Sequence, residues 1–79
     1  MKRTLRELRE YALSLVDDIE FTWNGGHGLI IPFNRRKYIL CFGSDDTGTQ
    51  FDDVDQMLSC PYLNGRSIAE VCDELVFLR

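Results

Sequence analysis

Apolar residues near the start of the chain recur at intervals of three and four, the spacing of one face of an α-helix. Thr4 and Glu7 stand three residues apart at the head of this stretch. This is the spacing of a capping box, in which both side chains satisfy N–H groups of the first helical turn. The pattern predicts a helix over residues 5–16. Its apolar face consists of Leu5, Leu8, Ala12, Leu15 and Val16.

The pattern then changes to one of strands. Residues 19–23 carry a large apolar side chain at every second position, which is typical of a strand with one buried face. Two more apolar runs cover residues 29–33 and 37–42. We therefore predict three consecutive strands.

The segments between these strands predict turns. Residues 24–28 read Asn-Gly-Gly-His-Gly, and glycine and asparagine accept the positive φ values that a tight hairpin requires. Residues 34–36 supply the second turn, so the strands form an antiparallel meander. Because Pro32 has no N–H to donate in the middle strand, we expect the pairing to break or bulge there.

Two further helices are predicted in the last third of the chain. Helical spacing of apolar residues over 51–58 indicates a short helix that ends before Pro61, since proline cannot continue a helix. Ser67 and Glu70 repeat the capping-box spacing. They predict a last helix over residues 68–77.

These elements give the order αβββαα in a single domain over residues 1–79. The chain has 79 residues, 44% hydrophobic and 28% charged, which leaves room for one small core. We predict the α+β class, with a three-stranded antiparallel meander packed against amphipathic helices.

The second and third strands are apolar at consecutive positions, 29–31 and 38–42. Some of these side chains must point away from the core face in either register, and strands that are apolar on both faces need cover on both. Either the helices divide the two faces between them, or part of one face is an exposed patch that binds a partner. In the second case we expect Ile30, Pro32 and Ile39 to belong to the patch.

The residues that could bear chemistry are few. His27 is the single histidine, and the gaps to and between the three cysteines are 14, 19 and 12 residues. Structural zinc sites usually take pairs of ligands from one short turn, so this spacing argues against zinc. The acidic segments 45–46 and 52–55 lack the glycine and glutamate of a calcium-binding EF-hand loop. The glycine-rich segment 24–28 joins two strands and does not open a helix, unlike a phosphate-binding loop.

Nucleophilic catalysis is also poorly supported. A cysteine nucleophile needs an accessible thiolate and a nearby base, and nothing in the sequence brings Cys60, the most accessible candidate, close to His27. We expect Cys41 and Cys72 to be packed thiols. The sequence predicts no enzyme, no cofactor and no metal site.

Charge is unevenly distributed along the chain. Residues 1–37 hold seven Lys or Arg against five Asp or Glu, whereas residues 38–79 hold two against eight, and the formal net charge is -4. The basic residues of the first helix and of the turn Arg35-Arg36-Lys37 make nucleic-acid binding an alternative, because counterion release requires a contiguous basic surface. The acidic last helix argues against it.

No stretch approaches the roughly 20 apolar residues that cross a bilayer. The first residues lead into alternating charges where a secretory signal would be hydrophobic. An odd number of widely spaced cysteines suits reduced thiols. We therefore expect a cytoplasmic location.

We conclude that the sequence favours a non-enzymatic domain acting through protein contact, either with another protein or with itself as a homodimer. Nucleic-acid binding by the basic first helix and the Arg35-Arg36-Lys37 turn is the alternative. The predicted partner-binding residues are Ile30, Pro32, Arg35, Arg36, Tyr38 and Ile39.

Overall fold

The computed structural model describes residues 2–15, 17–44 and 47–78 as one mixed α+β layer structure. Its elements are α1 (Leu5–Ser14), β1 (Ile19–Trp23), β2 (Gly26–Asn34), β3 (Lys37–Phe42), β4 (Thr49–Phe51), α2 (Val54–Ser59), α3 (Ile68–Val71), a 3₁₀ turn (Cys72–Glu74) and β5 (Val76–Phe77).

The strands form one antiparallel sheet in the order β4-β3-β2-β1-β5. Its centre is the predicted meander, so the α+β class is confirmed. The predicted irregularity is confirmed as well, because the register between β2 and β3 shifts between Pro32 and Asn34. The two outer strands were missed by the sequence prediction.

The first helix begins as predicted and ends earlier. The Glu7 N–H donates to Thr4 Oγ1 at 3.1 Å, and the Thr4 N–H donates to Glu7 Oε1 at 2.9 Å, which completes the capping box. Leu15 has a left-handed φ of 56° and caps the helix after Ser14. Val16, the last residue of the predicted helix, lies outside the described residues.

The predicted helix over 51–58 is shorter than expected at its start. Phe51 ends β4, and Asp53 caps α2 by accepting a hydrogen bond from the Gln56 N–H at 2.7 Å. An aspartate at this position satisfies an N–H group of the first turn. The helix therefore starts at Val54, three residues after the predicted start at Phe51.

The predicted last helix, residues 68–77, is also wrong in its second half. The Ser67–Glu70 capping box is present, but α3 ends at Val71 and the chain becomes extended at Leu75. Val76 and Phe77 then pair with Thr22 and Phe21 of β1. This pairing adds a strand to the edge of β1 that β2 leaves open. Phe77 lies on the same face as its partner Phe21 and is buried.

A single core lies between the helices and one face of the sheet, called here the inner face. Alternate strand residues on that face are buried together with the apolar sides of α1, α2 and α3. No helix of the described residues is long and apolar enough to cross a membrane. The inner-face residues are Ile19, Phe21, Trp23, Ile30, Tyr38, Leu40, Phe51 and Phe77.

Glycines form the floor of the core at the centre of the inner face. Phe21, Gly28 and Phe42 are paired across β1, β2 and β3. The Phe21 ring lies over Gly28 and the Phe42 ring lies over Gly26. The two rings stack with their centroids 6.3 Å apart and an angle of 12° between their planes. A Cβ on Gly28 would overlap the Phe21 ring, and one on Gly26 would overlap the Phe42 ring. The absence of two side chains thus makes room for the aromatic pair.

Gly28→Ala is expected to destabilise the protein by ~1–3 kcal/mol, because the added methyl group overpacks a full core. An unobstructed glycine in a strand would instead gain stability from this change. Thermal unfolding measures the effect, at roughly 4–8 °C per kcal/mol for a domain of this size.

A double-mutant cycle with Phe21→Leu provides the control. The smaller side chain leaves space for the methyl group, so the two changes together should cost less than the sum of their separate effects. A Gly28→Ala variant as stable as the wild type would contradict this account of the core.

Candidate functional site

The second face of the sheet is the candidate site, and we call it the outer face. Its residues alternate along the strands with the buried inner-face residues. Its central apolar side chains are half-buried and stand apart from the core cluster that the helices cover. The outer-face residues are Glu20, Thr22, His27, Leu29, Ile31, Phe33, Lys37, Ile39, Cys41, Gln50, Val76 and Leu78.

This face concentrates the exposed apolar surface of the protein. Among the described residues, four large apolar side chains are exposed. Three of them lie on the outer face: Phe33 at 55%, Leu78 at 51% and Val76 at 39%. The fourth is Leu5 at 37%, on α1. Leu29 and Ile31 of β2 are half-buried, and Glu20 and Thr22 of β1 lie between them and the side of the face that carries Val76 and Leu78.

Gly48, just before β4, covers one side of the face. Gly48 lies against the side chains of Ile39 and Cys41, and a Cβ there would approach the Cys41 sulfur to 2.7 Å. Gly48 also has a φ of 77°, which favours glycine. The open part of the outer face therefore lies over β2, β1 and β5.

Few charges interrupt the apolar surface. His27 Nε2 lies 3.4 Å from Glu20 Oε2 on the neighbouring strand, a contact that becomes an ion pair when the imidazole is protonated. The Lys37 ammonium lies 5.0 Å from the centre of the Phe33 ring, close enough for a cation–π interaction. Glu20, His27 and Lys37 therefore each contact another residue of the outer face.

Three of the predicted partner-binding residues lie on the inner face, contrary to the sequence prediction. Ile30 and Tyr38 have no exposed surface. Pro32 pairs with Tyr38, so it shares the inner face, and it is half-buried. Ile39 is on the outer face, as expected.

The hairpin turn explains this correction. Asn24 and Gly25 both have positive φ, as a type I′ turn requires, so Ile19 pairs with Ile30. Residues paired across two strands share a face, and the inward position of Ile19 therefore fixes that of Ile30. The same count from the Asn-Gly turn assigns Leu29 and Ile31 to the outer face, so this signal was present in the sequence and was missed.

Arg35 and Arg36 are exposed in the turn that joins β2 and β3. The Arg36 N–H donates to Asn34 Oδ1 at 2.8 Å, which fixes the turn. The turn lies at the Phe33 and Lys37 end of the outer face. The two arginines are therefore placed at its rim.

The basic residues of α1 and its approach make contacts elsewhere. Arg9 binds Asp55 of α2 through two hydrogen bonds, at 2.7 and 3.0 Å. These bonds lower the pKa of the Asp55 carboxyl below its ordinary value. Lys2 donates to the Asp73 carbonyl at 3.0 Å, and the Arg3 guanidinium lies over the Tyr11 ring at 4.7 Å.

Two clefts open beside the sheet. One, of about 250 Å³, is lined by Trp23, His27 and Glu74, and the Trp23 indole donates to the Glu74 carboxylate at 3.2 Å. The other, of about 500 Å³, separates the start of α1 from α3 and is lined mainly by carbon atoms, including those of Leu5 and Ala69. The lining of this larger cleft also includes the Cys72 thiol and the carboxyl groups of Glu7 and Asp73.

The three cysteines lie apart from one another. Cys41 is on the outer face, Cys60 caps the end of α2, and Cys72 is buried beside α3. Burial raises the pKa of the Cys72 thiol above its ordinary value. Within the described residues, no three His, Cys, Asp or Glu side chains are grouped to hold a metal ion.

The Tyr38 hydroxyl is an unusual feature of the core. It is buried without a hydrogen-bond partner among the described residues. Burial raises the pKa of this hydroxyl above its ordinary value near 10, although the positive charges of Arg35 and Arg9 partly oppose the shift. The hydroxyl is therefore held in its neutral form.

Tyr38→Phe is expected to leave the stability at pH 7 unchanged or to raise it by up to ~1 kcal/mol, because it removes a buried polar group that makes no bond. The wild type should lose stability above about pH 10, where the unfolded chain releases the tyrosine proton first. The variant should lose less in that range. Thermal unfolding between about pH 7 and 11 tests both points.

Tyr11→Phe is the control, since it removes a hydroxyl from a ring outside the buried core. A loss of more than ~1 kcal/mol in Tyr38→Phe at pH 7 would mean that the hydroxyl does make a stabilising bond.

Comparisons with protein-family models, with curated proteins and with solved structures gave no match to the chain.

Proposed function

We propose that this protein is a non-enzymatic domain that binds another protein molecule through the outer face of its sheet. The observation that carries the proposal is the one-sided placement of the described helices, which leaves apolar side chains of β2 and β5 exposed or half-buried on the other side. Exposed apolar surface of this kind marks interaction sites on small proteins.

The energetics of contact support this use. Burial of apolar surface contributes about 25 cal/mol per Å², so a partner that covers about 500 Å² of such surface gains about 12 kcal/mol before costs. Association itself costs roughly 4–15 kcal/mol. The expected interaction is therefore of weak to moderate affinity, and Phe33 and Leu78 are its most exposed anchors.

Charged residues at the rim of the outer face can orient a partner on the apolar surface. Arg35 and Arg36 are exposed next to Phe33 and can pair with acidic groups around the edge of a partner. Such rim charges mainly affect the rate of association and the choice of partner. We further propose a cytoplasmic location, since the three free cysteines suit a reducing compartment.

Site-specific photo-crosslinking in the native cell tests the proposal. A photoreactive residue at Leu78 should give one or a few discrete crosslinked proteins, because this side chain lies in the proposed contact. The same residue at Leu5 is the matched control, being an exposed leucine on the helix layer, and should give none.

Ile31→Lys places a charge at the centre of the outer face and should abolish the Leu78 crosslinks while circular dichroism confirms that the variant is folded. Equal crosslinking from Leu5 and Leu78, or products that persist in folded Ile31→Lys, would contradict the proposal.

Nucleic-acid binding is the second candidate, and the Phe33 end of the outer face favours it. An exposed aromatic ring flanked by Arg35, Arg36 and Lys37 resembles the combination of stacking and charge that binds single strands. The basic residues of α1 add little to this patch, because Arg9 is engaged by Asp55. The net charge of -4 also opposes it.

Binding of a labelled single-stranded RNA at low salt tests this candidate. If it holds, the paired change Arg35→Glu and Arg36→Glu should weaken binding at least about tenfold, since each phosphate contact contributes to the salt-dependent affinity. Arg66→Glu, in an exposed turn, should have little effect. No binding by the wild type at low salt would eliminate the candidate.

A further inference from the structure

We infer that the partner of the outer face is an extended segment of another protein, with aliphatic side chains at alternate positions and a group of carboxylates at one end. This inference rests on the proposed function and names the chemistry of its partner. The width of the uncovered apolar surface, its length and the charges at its two ends support it.

Among the described residues, the uncovered apolar surface over β2 is narrow. On one side, Gly48 lies against the side chains of Ile39 and Cys41 of β3. On the other side, Glu20 and Thr22 of β1 separate β2 from the apolar residues of β5. Neighbouring strands lie ~4.8 Å apart, whereas a helix with its side chains is ~10 Å wide. The width therefore suits a single extended segment.

Three apolar side chains follow one another along this surface, those of Leu29, Ile31 and Phe33, and we call them the β2 row. Leu29 and Ile31 are half-buried, and Phe33 is 55% exposed. Side chains on one face of a strand are ~7 Å apart, so the row is ~14 Å long. An extended segment has the same spacing between its alternate side chains. It can therefore place one apolar group beside each member of the row.

The Phe33 end of the β2 row is positively charged. The Lys37 ammonium lies 5.0 Å from the centre of the Phe33 ring. Arg35 and Arg36 are exposed in the adjoining turn. Carboxylates of a segment bound along the row would meet these cations, and such complementarity decides between partners of similar shape.

The opposite end of the β2 row carries a negative charge. Glu20 pairs with Leu29 across β1 and β2, and its carboxylate contacts His27. A further carboxylate placed beside Leu29 would be repelled by Glu20. The charges thus set the direction of the segment, with its acidic group at the turn and its aliphatic residues over Leu29 and Ile31.

A single strand of nucleic acid would use the same cations, but the β2 row is less suited to it. Bases bind single-strand surfaces by stacking on aromatic rings. Phe33 provides one such ring, whereas Leu29 and Ile31 are aliphatic. The aliphatic part of the row therefore favours a protein segment.

Selection from a random library of displayed peptides, each of about 12 residues, tests the inference on the wild-type protein. At least about tenfold enrichment is expected for peptides that place aliphatic residues at alternate positions next to two or more Asp or Glu residues. A selection that enriches no peptide, or enriches peptides without an acidic excess, overturns the inference.

Fluorescence anisotropy then compares one enriched peptide with a twin in which its acidic residues are replaced by lysine. The paired change Arg35→Glu and Arg36→Glu should weaken the acidic peptide at least about tenfold and should strengthen the lysine twin, because the charge of the turn is reversed. The matched control is Arg6→Glu with Arg66→Glu, at exposed positions on the helix side. It should change either affinity less than about threefold at physiological salt, where charges are screened within ~8 Å. Equal effects of the two pairs overturn the inference.

Amide chemical shifts recorded during addition of the acidic peptide locate its site. Shifts at Leu29, Ile31 and Arg36 with none on α2 support the inference, and shifts confined to the helix layer overturn it. Ile31→Lys should weaken the peptide at least about tenfold, since it buries a charge under the aliphatic part of the segment. If that variant does not fold, the exposed arginine pair still provides the test.

The fate of the proposed function is decided separately by the Leu78 crosslinks. A selection without acidic preference, together with discrete Leu78 crosslinks, overturns the inference and retains the outer face as a contact surface. If the Leu78 crosslinks are absent as well, the proposed function is rejected with it. Labelled single-stranded RNA that binds the wild type more tightly than every enriched peptide overturns the inference in favour of nucleic acid.

Discussion

The packing of Phe21 over Gly28 and of Phe42 over Gly26 is the constraint on which the rest of the structure depends. The two rings stack because neither glycine has a side chain, and this places both glycines on the inner face. Alternation along β2 then sends Ile30 to the core and Leu29 and Ile31 to the other side. A shift of one residue would reverse every one of these assignments. The packing of one aromatic pair thus determines which apolar residues of β2 lie in the core and which lie on the outer face.

The glycine-rich segment consequently has two roles that its composition does not separate. Asn24 and Gly25 form the turn, where positive φ is required. Gly26 and Gly28 lie in the strand and are required for space, since each lies beneath an aromatic ring. His27 between them points to the outer face beside Glu20. The glycine-rich segment that predicts the hairpin therefore also provides the space in which the Phe21 and Phe42 rings pack.

The parts of the fold that could be predicted from the sequence are those determined by local interactions. The Thr4 and Ser67 capping boxes, the central meander and the irregularity at Pro32 each depend on a few neighbouring residues. The strands β4 and β5 could not be predicted in this way. They have three and two residues, too few for a periodic pattern. The partner of β5 is β1, which lies far away in sequence. A burial pattern shared by helix and strand, as at Leu75 and Phe77, concealed the change of structure after Val71.

The sequence left open how the two faces of the sheet are covered. The surplus of apolar residues in β2 and β3 was compatible with helices on both faces or with an exposed patch on one face, and it could not say which residues belonged to which face. That choice needed the exact length of the Asn24-Gly25 turn, because a two-residue turn pairs Ile19 with Ile30 and so buries both. The same pairing leaves Leu29 and Ile31 half-buried on the outer face. These side chains lie outside the core cluster, so they are apolar residues that the proposed contact would bury.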